Sequence, residues 1–157
     1  IGQGHAQATS LQVARFVAAL VNGGKLLRPT LLRVDTPEVV GELPMRDSTR
    51  KLVVDAMVAT VEEDRGTARV LRRPGIRVGG KTGTAQVVKL KDKYEKKETH
   101  EIPYKYRDHA WMAAFGEKDG RRYVVVSMVE HGGHGGSDAG PVAGAVLDAL
   151  FGVQAGG

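Results

Sequence analysis

The residues with most chemical potential lie in one run, Gly75-Ile76-Arg77-Val78-Gly79-Gly80-Lys81-Thr82. Letter for letter it satisfies G-x-x-x-x-G-K-[ST], the pattern in which backbone N–H groups and a lysine cradle phosphates. A loop of that kind must open a helix, so that its N–H groups and the helix dipole face the phosphates. The residues that follow, Gly83-Thr84-Ala85-Gln86-Val87-Val88, are poor helix openers. A P-loop-type nucleotide hydrolase built on Gly75–Thr82 is therefore the minority reading. The other reading places Lys81-Thr82-Gly83-Thr84 on an edge strand. A third set of residues is His109, His131 and His134, the last two within HGGHGGS. A His-x-x-His loop can ligate zinc. Four glycines leave these ligands unorganised, so no metal site is assigned, and the stretch reads as a Gly-rich loop beside a cleft.

These residues need elements to hold them. Thr9 and Gln12 have capping-box spacing, and Leu11, Ala14, Phe16, Ala18, Leu20 and Val21 give an apolar face, predicting a helix over 9–22. Asn22-Gly23-Gly24 ends it. Residues 25–46, with three prolines, read as irregular. A second helix is expected over Ser48–Asp64, capped by Asp47 or Ser48, with Leu52, Val53, Ala56, Met57, Ala59, Thr60, Val61 and Glu63 along two mixed lines. Beyond Pro74 the period changes to that of strands: Arg77–Leu90, His109–Phe115 and Arg122–Glu130, the last two forming a hairpin around a turn at Gly116–Gly120. Gly132–Gly140 reads as a loop. Pro141–Phe151 reads as a final helix, capped by Asp138, with a stripe of Val142, Ala145, Val146 and Leu150. Trp111 is expected in the core, and Asp108 and His109 are expected to share a structural hydrogen bond. The fold class is α+β, an antiparallel sheet of about three strands flanked by helices.

Composition bounds the rest. The chain has 157 residues, 41% hydrophobic and 26% charged, the size of one domain. No cysteine is present, which excludes a disulfide scaffold, a thiol nucleophile and a Cys-ligated zinc. The net charge is +5, and much of it sits in Lys89–Lys97, where Asp92 and Glu95 interrupt the lysines. With Tyr94 alone for stacking, this reads as a solvated loop or hairpin tip, and no nucleic-acid partner is expected. No apolar run approaches the ~20 residues of a membrane span. The chain starts at Ile1 without a Met, and a piece of a larger protein is expected.

Lys81-Thr82-Gly83-Thr84 carries the K-T-G motif of the penicillin-binding proteins and serine β-lactamases. Three letters are weak, but their surroundings are not. IGQG at the start, Thr9-Ser10-Leu11-Gln12-Val13-Ala14, Asn22-Gly23-Gly24, Pro29 and Gly66-Thr67-Ala68 ahead of GGKTGTAQ resemble the class B penicillin-binding proteins in order and spacing. Arg107-Asp108-His109-Ala110-Trp111-Met112 and Val129-Glu130-His131-Gly132-Gly133 resemble the elongation-type branch of that family.

The resemblance implies a D,D-transpeptidase that cross-links peptidoglycan through a serine acyl-enzyme and is the target of β-lactams. It implies a five-stranded antiparallel sheet with helices on both faces. It makes Lys81 a cationic catalytic residue that stabilises anionic forms, and the Thr84 backbone N–H an oxyanion-hole donor. Thr82 and Thr84 would hold the terminal carboxylate of a D-Ala-D-Ala stem peptide, Gly83 would let the substrate lie along the strand, and Gln86 would line the cleft. No cofactor is implied. Expected partners are the stem peptide, β-lactams, the missing N-terminal half of the domain and a membrane glycosyltransferase of the elongation machinery, on the periplasmic side of the bacterial inner membrane. The chain departs from the family pattern in two ways. S-x-N does not occur after any of Ser10, Ser48, Ser127 or Ser137. The one S-x-x-K, Ser48-Thr49-Arg50-Lys51, stands too close to Lys81 to be the nucleophile and reads as a helix cap or first-turn residue. The whole chain is thus expected to be the C-terminal part of a transpeptidase domain, inactive alone. A non-catalytic penicillin-sensing or interaction domain is the other alternative.

Overall fold

A computed structural model of the chain describes residues 7–87 and 99–153; the lysine-rich run 89–97 lies outside them. Helix α1, Ser10–Val21, begins with the expected capping box: Thr9 Oγ1 accepts from the Gln12 N–H at 3.2 Å, and Gln12 Oε1 accepts from the Thr9 N–H at 2.8 Å. Its buried residues are Val17, Ala19, Leu20 and Val21, whereas Leu11 and Phe16 are exposed, so the inward face is rotated from the expected one. Residues 25–46 are not wholly irregular. Strands β1 (Lys25–Leu27) and β2 (Val39–Glu42) pair antiparallel as a small ribbon. Segments this short carry no readable period.

Helix α2 spans Asp47–Glu62 and buries Val54, Met57 and Val61, while Leu52 is exposed. Its N-cap is Arg46, with no side-chain cap. Neither Asp47 nor Ser48 fills that role: both are first-turn residues, and the Asp47 carboxylate accepts from Arg50 at 3.2 Å.

The sheet consists of β3 (Arg77–Ala85), β4 (His109–Lys118) and β5 (Arg121–Val129), antiparallel in the order β3-β4-β5. The β4–β5 turn is tighter than expected. Only Asp119 and Gly120 lie outside the strands, with φ of 51° and 74°, the left-handed pair that a two-residue hairpin with matching twist requires. Helix α3, Gly140–Phe151, carries Pro141 in its first turn and ends at Gly152 with φ 66°.

Helices cover both faces of the sheet. On one side Phe115 is sealed by Val17, Leu20 and Val21 of α1 and by Val54 and Met57 of α2. On the other, Val78, Met112, Ala114 and Val125 pack with Leu71, Val61, and Ala143 and Leu147 of α3. The α3 stripe was expected at Val142, Ala145, Val146 and Leu150. The structure turns it the other way: Gly140, Ala143, Gly144 and Leu147 are buried, and Val142 and Val146 are exposed. Close approach explains the choice, since a Cβ on Gly144 would lie 2.6 Å from the Arg73 guanidinium.

Arg73 reaches α3 through two hydrogen bonds to Asp148, at 2.5 and 2.9 Å, with both side chains about four-fifths buried. Removing one partner strands the other half-desolvated. Asp148→Ala is expected to cost about 2 kcal/mol of unfolding free energy in urea, more than an exposed pair gives. The exposed pair Arg28–Glu38 provides the comparison.

Candidate active site

Strand β3 changes character along its length. Val78, Gly79 and Gly80 are buried, Lys81 is exposed, and Thr82, Gly83, Thr84 and Ala85 are half-buried. The change coincides with the end of its cover. Thr60 of α2 donates its hydroxyl to the Gly80 carbonyl at 2.6 Å, so Gly80 points its carbonyl outward, away from β4. In an antiparallel strand alternate residues direct both backbone groups to the same side. Thr82 and Thr84 therefore also face the outer edge, while Lys81, Gly83 and Ala85 bond β4 opposite Ala113, Trp111 and His109. Among the described residues β3 is the terminal strand. Its outer edge is blocked at Gly80 and open from Thr82 onward.

The predicted site residues fall on this open half. Lys81 folds back along the edge and donates from Nζ to the Thr82 carbonyl at 2.6 Å. The Thr82 hydroxyl lies 3.2 Å from the Thr67 hydroxyl. Gln86 is exposed just beyond the strand. Trp111 is half-buried rather than in the core. It sits opposite Gly83, whose missing side chain makes room for it: a Cβ there would lie 3.1 Å from the Trp111 Cβ.

Two walls flank the motif. The first is Gly66-Thr67. A Cβ on Gly66 would lie 2.1 Å from the Thr60 carbonyl oxygen, and that same carbonyl accepts from the Ala68 N–H at 3.0 Å. Only glycine lets the turn close on α2 and bring Thr67 to Thr82. The second wall is the Gly-rich stretch expected beside the cleft. It is not a plain loop: Gly135–Ala139 form a π-helical turn running straight into α3. Gly135 lies flat on the sheet, where a Cβ would meet the Trp111 carbonyl at 2.3 Å and the Gly83 backbone at 2.8 Å. Because the chain enters α3 already wound, Asp138 does not cap it. Asp138 accepts from Ser137 Oγ at 2.6 Å and from the His134 N–H at 3.2 Å. Thr67 and Gly135 were not singled out from the sequence as site residues, although Thr67 stands in a run that carried the resemblance and Gly135 in the Gly-rich stretch expected beside the cleft.

The histidines are engaged in holding the chain. His109 Nδ1 accepts from the His131 N–H at 2.9 Å, and His131 Nδ1 lies 3.0 Å from the Arg107 carbonyl. The expected Asp108–His109 bond is replaced by these contacts. Burial pushes the Asp108 carboxyl above its usual value, partly opposed by the nearby Val87 backbone and by His109 and His134.

The hydrolase reading of Gly75–Thr82 does not survive the fold. Gly75 lies in the turn before β3, and Lys81 and Thr82 continue the strand rather than opening a helix. Ser48 is also poorly placed. It lies twelve residues before Thr60 on α2, about 18 Å along the axis at 1.5 Å per residue. Lys51 lines a hollow of about 270 Å³ at the Arg77 end of the sheet, with Arg50, Asp55, Glu117 and Arg122. There burial pushes the Glu117 carboxyl up, but hydrogen bonds from Arg77 and Arg122 outweigh it and hold it below its usual value.

A family model described as the penicillin binding protein transpeptidase domain matches residues 1–148. The peptidoglycan D,D-transpeptidase MrdA of Haemophilus influenzae is 36% identical over 94% of this chain and 24% of its own length, and that of Escherichia coli K12 is 30% identical over the same shares. The chain thus spans about a quarter of the length of these curated relatives. The crystal structure of Pseudomonas aeruginosa PBP2 in complex with WCK 5153 superposes with a TM-score of 0.72 at 32% identity, over 96% of this chain and 31% of that one. PBP2 in the Helicobacter pylori complex with MreC gives 0.63 at 27%, over 96% and 26%. With its sheet, its K-T-G strand and all but the last turn of its flanking helices falling within the family match, the chain belongs to the penicillin-binding protein transpeptidase domain family.

Proposed function

We propose that the chain supplies the K-T-G side of a peptidoglycan D,D-transpeptidase site. The observation that carries this reading is the open half-edge of β3, where a cation, two hydroxyls and an outward backbone stand together at Lys81–Thr84. A stem peptide ending in D-Ala-D-Ala adds to this edge as an extra strand. Thr82 and Thr84 take its terminal carboxylate, and the Thr84 N–H receives the developing oxyanion. Lys81 stabilises the anionic forms beside a serine, which attacks the carbonyl carbon of the penultimate D-Ala. The C–N bond to the terminal D-Ala breaks, and that residue leaves as the amine. An amine of a neighbouring stem then displaces the serine. Gln86 lines the cleft beyond Thr84. β-Lactams occupy the same place and leave a stable acyl-enzyme.

The serine and the S-x-N residues come from the part of the parent protein that precedes this chain, so the chain does not acylate alone. A membrane glycosyltransferase of the elongation machinery is the further partner, and the site works on the periplasmic side of the membrane. Among the described residues no helix is long and apolar enough to cross a membrane. A fluorescent penicillin tests the reading. The full-length protein is expected to label stoichiometrically and the isolated 157-residue chain not at all. An intact parent that takes no label is a non-catalytic domain, and a chain that labels at Ser48 overturns the assignment of the nucleophile.

A further inference from the structure

The hollow at the Arg77 end of the sheet has no part in the chemistry above. Along β3 it lies about 23 Å from Thr84, at ~3.3 Å per residue. Its buried lining is apolar, from Leu20 and Val21 of α1 and Val54 of α2, while Lys51, Asp55, Arg77 and Arg122 line it as exposed residues. With the adjoining β4–β5 turn it gathers six cations: Arg50, Lys51, Arg77, Lys118, Arg121 and Arg122. Four carboxylates stand among them, and three are already engaged. Glu117 accepts from Arg77 at 2.7 Å and also from Arg122, Asp55 lies 3.6 Å from Arg77, and Asp47 accepts from Arg50 at 3.2 Å. The fourth, Asp119, belongs to the turn. Among the described residues Lys51, Lys118 and Arg121 pair with no carboxylate. Lys118 and Arg121 also stand directly opposite each other across the ladder. Like charges in that position cost stability. The turn does not need them, since Asp119 and Gly120 alone supply its left-handed pair. These cations therefore satisfy nothing described within the chain.

Volume and charge together define what would fit. At about 270 Å³ the hollow falls below the ~300–1,000 Å³ of pockets that enclose a small-molecule ligand, and it suits a single side chain. Its aliphatic lining asks for an apolar group, and the unpaired cations ask for carboxylates beside it. A lipid headgroup would meet the cations and leave the aliphatic lining unused. We propose that this end of the sheet docks an acidic peptide segment of a partner protein, with one apolar residue seated in the hollow and flanking carboxylates on Lys51, Lys118 and Arg121. Arg50, held by Asp47 and by the Leu20 carbonyl at 2.8 Å, and Glu117, held by Arg77 and Arg122, give the surface a fixed shape before the partner arrives. Pre-formed polar groups of this kind lower the cost of binding. The open half of β3 stays free, so a docked partner and an occupied site are compatible. The inference stands apart from the transpeptidase reading.

The test titrates the full-length protein into a fluorescein-labelled peptide that carries one leucine between two short runs of glutamate, read by fluorescence anisotropy. Saturable binding is expected, weakening several-fold as salt rises from about 0.01 to about 0.15 M and the screening length falls from ~30 to ~8 Å. The same peptide with serine for leucine is expected to bind about tenfold more weakly. The double variant Lys51→Glu, Arg121→Glu is expected to weaken binding at least tenfold, and Lys51→Gln, Arg121→Gln by less. Both should keep the wild-type melting temperature and the wild-type rate of reaction with benzylpenicillin, because the two side chains are exposed and remote from Thr84. Lys51→Arg, which keeps the charge, is expected to bind within about twofold of wild type. Three results would overturn the proposal. One is no saturable binding of the leucine peptide. Another is equal binding of the leucine and serine peptides, or binding indifferent to both double variants. The third is capture of phosphatidylglycerol vesicles through these residues with no capture of the peptide, which would make the face a membrane contact.

Discussion

Lys81→Ala in the full-length protein is expected to slow penicillin acylation about a hundred- to a thousandfold, the range for removing one preorganised group that stabilises developing negative charge. The melting temperature should stay within a degree or so, a separation that follows from where Lys81 sits. Its side chain is exposed, and its hydrogen bond is to the neighbouring Thr82 carbonyl on an open edge. The sheet bonds it makes with β4 belong to its backbone, which alanine retains. Folding therefore loses little, and chemistry loses a cation. Stopped-flow quenching of a fluorescent penicillin reads the rate, and a thermal melt reads the fold. An acylation rate within tenfold of wild type would remove Lys81 from the chemical step.

Gly135→Ala is expected to be strongly destabilising. The new Cβ would lie 2.3 Å from the Trp111 carbonyl oxygen and within 2.9 Å of the Gly83 nitrogen and oxygen. These are backbone atoms of two paired strands, so no rotamer change relieves the contact. Either the π-helical turn lifts from the sheet or β3 and β4 part. A loss of about 3 kcal/mol or more is expected in urea, at the upper end of overpacking effects. Lifting the turn also pulls Gly136 from Thr67, so the variant should label poorly with penicillin even under conditions where it remains folded. The neighbouring exposed Ser137→Ala is the control, expected within about 0.5 kcal/mol of wild type. A Gly135→Ala protein of wild-type stability would contradict the flat packing of that turn.

The parts of this fold that could be read from residues are those where one force dominates. The strands of the sheet were legible because alternating apolar residues flank glycines that disfavour helix. The α1 start was legible because Thr9 and Gln12 satisfy each other locally. Helix α3 was found, but its inward face was not. It is apolar on two sides, and periodicity cannot choose between Val142-Val146-Leu150 and Gly140-Ala143-Leu147. The choice falls to distance: small residues let the helix approach Arg73 and Val70, which a scale of hydrophobicity does not record. At the site, Lys81 through Gln86 were legible as a motif. Thr67 acts through a contact made across 15 residues of sequence, to Thr82, which no local periodicity records. Asp138 had the chemistry of a cap but not the opportunity, because the turn before α3 is already helical.

The hydroxyl of Thr60 on the Gly80 carbonyl has a consequence for substrate choice. It acts as a stop on a ruler. An added strand can lie along Gln86 in one direction but meets α2 at Gly80, two residues beyond Thr82, in the other. On the proposed reading, a peptide whose chain continued past the carboxylate position would have to displace α2, whereas one that ends there fits. The helix thereby measures the distance from the scissile bond to the chain terminus. Selectivity for a terminal over an internal bond then comes from a steric end wall as well as from carboxylate recognition.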